Sequence, residues 1–190
     1  MFKSVLGAIL LAAASSASAA IYIVDARANS SAGGTAVSTV SVGAGTTINV
    51  SVAATDLWSA GALPRWSNAD GLTGPLFATG SDESGEAAGT QIGSNFGTYI
   101  QDGFAAPFGA LVGRLGSTYY LVGTSFSLVA PTSGTFDLYY WDSNASDNTQ
   151  FISADVTTIA VPEPASWALL VAGFGMIGFA ARRRRTLQPA

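Results

Sequence analysis

The sequence predicts an all-β protein: an antiparallel β-sandwich of jelly-roll type, preceded by a secretory leader and followed by one C-terminal transmembrane helix. Three observations carry this. Apolar residues alternate with period two in several short segments separated by glycine, serine and proline, and no central segment sustains a 3.6-residue stripe. Charge is sparse, at 11% of 190 residues against about 25% in an ordinary soluble domain, which points to membrane-directed sequence. Both ends of the chain carry the apolar runs that account for the deficit.

Residues 1–20, MFKSVLGAILLAAASSASAA, place Lys3 before an apolar run from Val5 to Ala14 and end on the small-residue pattern Ala17-Ser18-Ala19. This is the layout of a signal peptide cut by signal peptidase at Ala19 or Ala20 after delivery to the secretion translocon. An uncleaved N-terminal anchor is the alternative. The expected exported domain then runs over residues 21–160.

Within it, Ile48, Val50 and Val52 of Thr47–Ala54 point one way while Thr47, Asn49 and Ser51 point the other. Gly134–Trp141 places Phe136, Leu138 and Tyr140 on one face and Tyr139 and Trp141 on the opposite one. Phe151–Ile159 groups Ile152, Ala154 and Val156, and Ala36–Val42, Ala110–Leu115, Tyr119–Val122 and Phe126–Val129 read as further strands. Asn68–Gly103 is long, glycine-rich and acidic, and reads as a solvated excursion between strands.

Composition excludes several chemistries. With no cysteine and no histidine, the chain cannot form disulfides, thiolate or imidazole metal sites, or a serine–histidine machinery. Residues 21–161 carry three arginines (Arg27, Arg65, Arg114) and eleven carboxylates, a net charge of −8, which rules out a basic nucleic-acid face. Acid–base catalysis would need a carboxylate pair drawn from Asp70, Glu83, Glu86 and Asp102, as in a glycosidase, and nothing in the sequence brings two of them together. The expectation is a non-enzymatic protein.

Residues 161–190 form the second terminal segment: Pro162-Glu163-Pro164, an uncharged run over 165–181, and the basic tail Arg182-Arg183-Arg184-Arg185. Seventeen residues make about 25 Å of helix, the short end of a bilayer span. Trp167 suits the entry interface, and the four arginines favour the cytoplasmic side, so the domain lies outside the membrane, as the leader independently requires. The two prolines hold an extended strip that a membrane peptidase can reach, and they would equally serve as a rigid stop before a helix. Pro-Glu-Pro, Trp167, the Gly173/Gly175/Gly178 helix and the arginine cluster together resemble the PEP-CTERM sorting signal. That resemblance implies recognition and cleavage by an exosortase in a Gram-negative bacterium that makes extracellular polysaccharide. The expected destination is the cell surface or biofilm matrix.

Between two strands lies Asp142-Ser143-Asn144-Ala145-Ser146-Asp147-Asn148. Carboxylates and amides through a tight loop suit a hard cation such as calcium, although the same composition also makes an ordinary turn that caps its own backbone. From Leu57 to Thr158 the chain resembles LecA-type galactophilic lectins. The residues are ALPRW at Ala62–Trp66, FGALVGRLG at Phe108–Gly116, Leu121-Val122-Gly123, Ser133-Gly134, and LYYWDSNASDNTQFISAD at Leu138–Asp155. The resemblance implies a small β-sandwich whose calcium binds sugar hydroxyls. It places the ligands at Asp142, Asp147, Asn148 and the Ala60 backbone carbonyl, with a further loop carbonyl from Asn144 or Ala145. The family's sugar-contacting histidine has no counterpart here. Trp58 and Trp66 flank the expected site and are the candidate sugar-contacting aromatics. A purely structural or adhesive matrix protein is the alternative.

Overall fold

The computed structural model describes residues 17–160 and 164–185. Residues 17–160 form one compact unit and the C-terminal helix belongs to another.

The unit is built almost entirely of antiparallel strands. In chain order these are β1 (Ala17–Asp25), β2 (Val37–Val42), β3 (Thr47–Val52), β4 (Trp58–Ser59), β5 (Trp66–Ser67), β6 (Leu76–Phe77) and β7 (Gln91–Gly93). They continue with β8 (Thr98–Gln101), β9 (Phe104–Pro107), β10 (Ala110–Leu115), β11 (Thr118–Leu121), β12 (Ser125–Val129), β13 (Gly134–Trp141) and β14 (Phe151–Ile159). One four-stranded sheet has the order β1-β14-β3-β12 and the other β11-β10-β13-β2. Numbering these eight strands alone gives 1-8-3-6 and 5-4-7-2, the jelly-roll order, in which most consecutive strands alternate between sheets.

The core lies between the two sheets and follows the period-two faces read from the sequence. Ile48, Val50, Val52, Ile152, Ala154 and Val156 from one sheet meet Leu111, Leu115, Phe136 and Leu138 from the other, all at most 5% exposed. Close packing fixes even a glycine here: a Cβ at Gly113 would run into the ring of Phe136.

Trp141, on the opposite face of β13, is buried as well, because the β8–β9 hairpin lies over it. Tyr99, Phe104 and Tyr119 pack on Trp141, whose indole N–H donates to the Tyr99 carbonyl at 2.9 Å. The Asn68–Gly103 segment is therefore more than a solvated excursion: it contributes β6, β7 and β8. In addition, β1 begins at Ala17, inside the expected leader, with Ala17, Ser18 and Ala19 laid against Ile159, Thr158 and Thr157. The rest of that leader, residues 1–16, lies outside the described residues.

The second unit contains α1 (Pro164–Arg185), which encloses the 165–181 run. No helix among the described residues is long and apolar enough to cross a membrane. The expected span over 165–181 is therefore not shown. Trp167 is exposed, as are most described side chains of this helix, including Arg182. Pro162 and Glu163 lie outside the described residues, and Pro164 is the first residue of α1.

Candidate functional site

The loop between β13 and β14 starts where the sandwich core ends. Tyr140 and Trp141 are fully buried, so the next residue, Asp142, leaves the sheet with only 5% of its surface exposed. Its backbone is fixed from outside: the Asp142 N–H donates to Ser31 Oγ at 3.2 Å, and the Ser31 hydroxyl donates back to the Asp142 carbonyl at 3.0 Å. The carboxylate accepts the Ser143 N–H at 2.7 Å. At the loop's far end, reciprocal backbone bonds of 3.0 Å join Thr149 to Ser59. Those bonds bring the β4–β5 turn, and with it Ala60, beside the loop. The Ala60 N–H donates to the Arg65 carbonyl at 2.9 Å.

A small hollow of about 90 Å³ results, lined by Ala60, Arg65, Phe96, Phe108, Asp142, Ser143, Asn144 and Asp147. Three of the four expected ligand positions thus share one depression. The fourth, Asn148, is 1% exposed; its side-chain N–H donates to the Ala26 carbonyl at 3.0 Å, while its Oδ1 is buried with no hydrogen-bond partner. A buried carbonyl oxygen without a donor is unfavourable by about 1–3 kcal/mol unless something else binds it.

The electrostatics are those of a carboxylate cluster short of positive charge. Burial pushes the Asp142 carboxyl above its ordinary range, opposed by hydrogen bonds from Ser143, Asn148 and Asn144, and Asp147 adds to the rise. Burial likewise holds the Tyr140 phenol well above its usual value, with Asp142 and Asp147 contributing, and its hydroxyl has no partner. The nearest cation serves the other carboxylate: Arg65 pairs with Asp147 at 3.6 Å and stacks 4.7 Å above the Phe96 ring. Asp147 also accepts the Asn144 amide at 2.9 Å. Sequence reasoning missed Arg65 and Arg27, although the domain holds only three cations and carboxylate loops attract them. Arg27 donates to the Ala145 and Ser146 carbonyls, so the Ala145 carbonyl is already engaged.

The donor set fits a hard cation in part. Two carboxylates, an unpartnered amide oxygen and a loop carbonyl are all oxygen ligands of the kind calcium takes. No group of three histidine, cysteine, aspartate or glutamate residues is placed to hold a metal among the described residues.

The two tryptophans do not flank this hollow as sugar platforms. Trp58 is fully buried, its indole N–H donating to the Gly109 carbonyl at 2.9 Å and the Asn68 carbonyl at 3.2 Å, with its ring edge-on to Tyr140 at 4.5 Å. It is a core residue with no free face, which corrects the expectation. Trp66 is half-buried against Leu57, Ala78 and Ile92, and it lines a different depression of about 200 Å³ together with Asp70. Of the four acids considered for catalysis, Asp70 lines this second depression, and its carboxylate accepts the Thr124 N–H at 2.7 Å.

Among solved structures, the chain is similar to the N-terminal domain of EclA, described as a PllA-like lectin, at 22% identity. The match covers 73% of this chain and 94% of that one, with a TM-score of 0.44. No curated protein matches the chain. Residues 160–185 match the family described as the PEP-CTERM protein-sorting motif. That motif implies processing by an exosortase, with export, a transient membrane anchor and a surface or extracellular destination: this chain carries a PEP-CTERM sorting signal at its C-terminal end.

Proposed function

We propose that this is a non-enzymatic surface or matrix protein of a Gram-negative bacterium. Its jelly-roll domain binds carbohydrate through a calcium ion held by Asp142, Asp147, Asn148 and the Ala60 carbonyl. The leader directs the chain to the translocon, signal peptidase cuts at Ala19 or Ala20, and exosortase acts at Pro162-Glu163-Pro164, with Arg182–Arg185 on the cytoplasmic side. Export rests on the sorting motif. Ion binding rests on one observation above the others: Asn148 Oδ1, buried in the same loop as the buried Asp142 carboxylate, has no hydrogen-bond partner.

Each residue has a distinct part. Asp142 is held rigid by the Ser31 bonds, Asn148 is oriented by the Ala26 carbonyl, and Ala60 is presented by the β4–β5 turn. Asp147 is shared with Arg65 and must turn partly away from it to bind an ion. Calcium, when bound, offers open coordination positions to adjacent sugar hydroxyls. The hollow is too small to enclose a sugar, so recognition would occur at its mouth.

A second reading, a structural or adhesive matrix component without a ligand, draws support from the Arg65–Asp147 pair, which already neutralises one carboxylate. Calorimetric titration of the residue 17–160 unit with calcium separates the two. Heat of binding together with a raised melting temperature is expected; neither effect at millimolar calcium would leave the structural reading standing.

A further inference from the structure

The two faces of the sandwich are treated differently. The outer face of β11-β10-β13-β2 is covered at its Trp141 end by the β8–β9 hairpin, whereas nothing else in the residue 17–160 unit covers the outer face of β1-β14-β3-β12 among the described residues. The pairing register writes out what that open face presents. Asp155 lies opposite Ser51, which lies opposite Ser125; one step along, Thr157 lies opposite Asn49, which lies opposite Ser127.

These six side chains line a trough of about 290 Å³, near the lower end of small-molecule sites, which begin at about 300 Å³. None of them makes a side-chain hydrogen bond to another described residue, in contrast to Asp25, Asp70, Asp82 and Asp137, whose carboxylates are all engaged within the fold. Around the trough stand apolar side chains of the same face. Ile21 continues the Asp155 row at 70% exposure, Ile23 and Phe151 stand beyond one end, and Ile159 and Val129 close the other.

From this arrangement we propose that the trough on β14-β3-β12 binds a neutral polysaccharide chain, independently of calcium. Four hydroxyls and a carboxamide both donate and accept, while the single carboxylate only accepts, so the occupant must supply donors and acceptors in mixture. No cation lines the trough and the unit's charge is −8, which disfavours a polyanion. The same charge disfavours a second copy, which would set carboxylate-rich surfaces against each other. A pyranose chain meets both demands: its hydroxyls match the polar floor and its C–H faces match the isoleucine rim. Small side chains on a rigid sheet keep the floor open and preformed, so little ordering is needed on binding.

The test is amide-shift mapping by NMR on the residue 17–160 unit in EDTA, titrated with cellohexaose, maltohexaose and mannohexaose to millimolar concentration. At least one should shift the amides of Ser51, Ser125 and Asp155. Ser51→Trp, which fills the trough, and Asn49→Ala should each weaken that binding at least tenfold while retaining the wild-type fold, and Asp142→Ala should leave it unchanged. Absence of shifts with all three sugars overturns the proposal. So does binding that survives Ser51→Trp, or shifts at this face that depend on protein concentration alone.

Discussion

Replacing Asp142 by asparagine keeps the shape of the side chain and its acceptor for the Ser143 N–H but removes a carboxylate that is 5% exposed. Without calcium, a buried charge with no cation beside it is exchanged for a neutral amide, a change expected to be neutral or stabilising by about 1 kcal/mol. The 144 residues of the unit correspond to an unfolding entropy of about 0.3 kcal/mol/K, so that gain is worth about 3 °C in melting temperature. With calcium at a hundredfold excess over Kd, the wild-type unit gains about 2.7 kcal/mol, or about 9 °C. Loss of a charged ligand that weakens Kd a hundredfold cuts the gain at the same calcium concentration to about 0.4 kcal/mol, near 1 °C. The two proteins should therefore exchange order: Asp142→Asn melts at or above wild type in EDTA and below it in calcium. Calorimetric melting under both conditions reads this directly. A variant that melts several degrees lower in EDTA, or one that keeps the full calcium shift, refutes the reasoning.

Four further outcomes follow from the structure. Because burial raises the Asp142 carboxyl, its contribution to the ion-free fold is complete below its unfolded pKa and lost as pH rises through the higher folded value. Calcium needs the anion, so titrations at about pH 7 and about pH 4.5 should show weaker binding at the lower pH. The Ser84 hydroxyl and the Thr79 N–H hold Asp82 at about 2 against 3.8, giving the opposite dependence, stability present above 3.8 and lost as pH falls toward 2. Trp58→Phe leaves the Gly109 and Asn68 carbonyls without their indole donor; urea melts should show a loss of about 1–3 kcal/mol, and calcium affinity should stay within twofold. A chain beginning at Ala20 lacks the residues that pair with Thr157–Ile159, so β14 amides there that face β1 should exchange faster than in a chain beginning at Ala17. Equal exchange would mean that those pairs hold nothing.

The strands legible in the sequence are those with long alternation. Ile48/Val50/Val52 and Ile152/Ala154/Val156 announce their inward faces because a half-buried strand must separate apolar from polar every second residue. Burial that comes from distant chain leaves no local pattern. Trp141 lies on the face opposite Phe136 and Leu138, and the cover that buries it comes from β8 and β9, some forty residues earlier. The strands β4 to β7 have two or three residues each, too few for any period to show. Strand β1 was hidden by its own composition: Ala17–Ala20 serve equally as a cleavage pattern and as the small-residue start of an edge strand.

The loop shows the same division. That Asp142, Asp147 and Ala60 meet in one hollow is anchored by the Ser59–Thr149 bridge, which no local pattern encodes. Trp58 looked like a ligand platform because it is aromatic and near the site. Its role is set instead by the Gly109 carbonyl, fifty-one residues later, which captures the indole N–H inside the core.

The central claim is calcium at the β13–β14 loop, and a crystal structure of the residue 17–160 unit grown with millimolar calcium tests it most directly. The account predicts an ion bonded by Asp142, Asp147, Asn148 Oδ1 and the Ala60 carbonyl at about 2.3–2.6 Å. A loop that stays empty, with Arg65 still paired to Asp147, would contradict it.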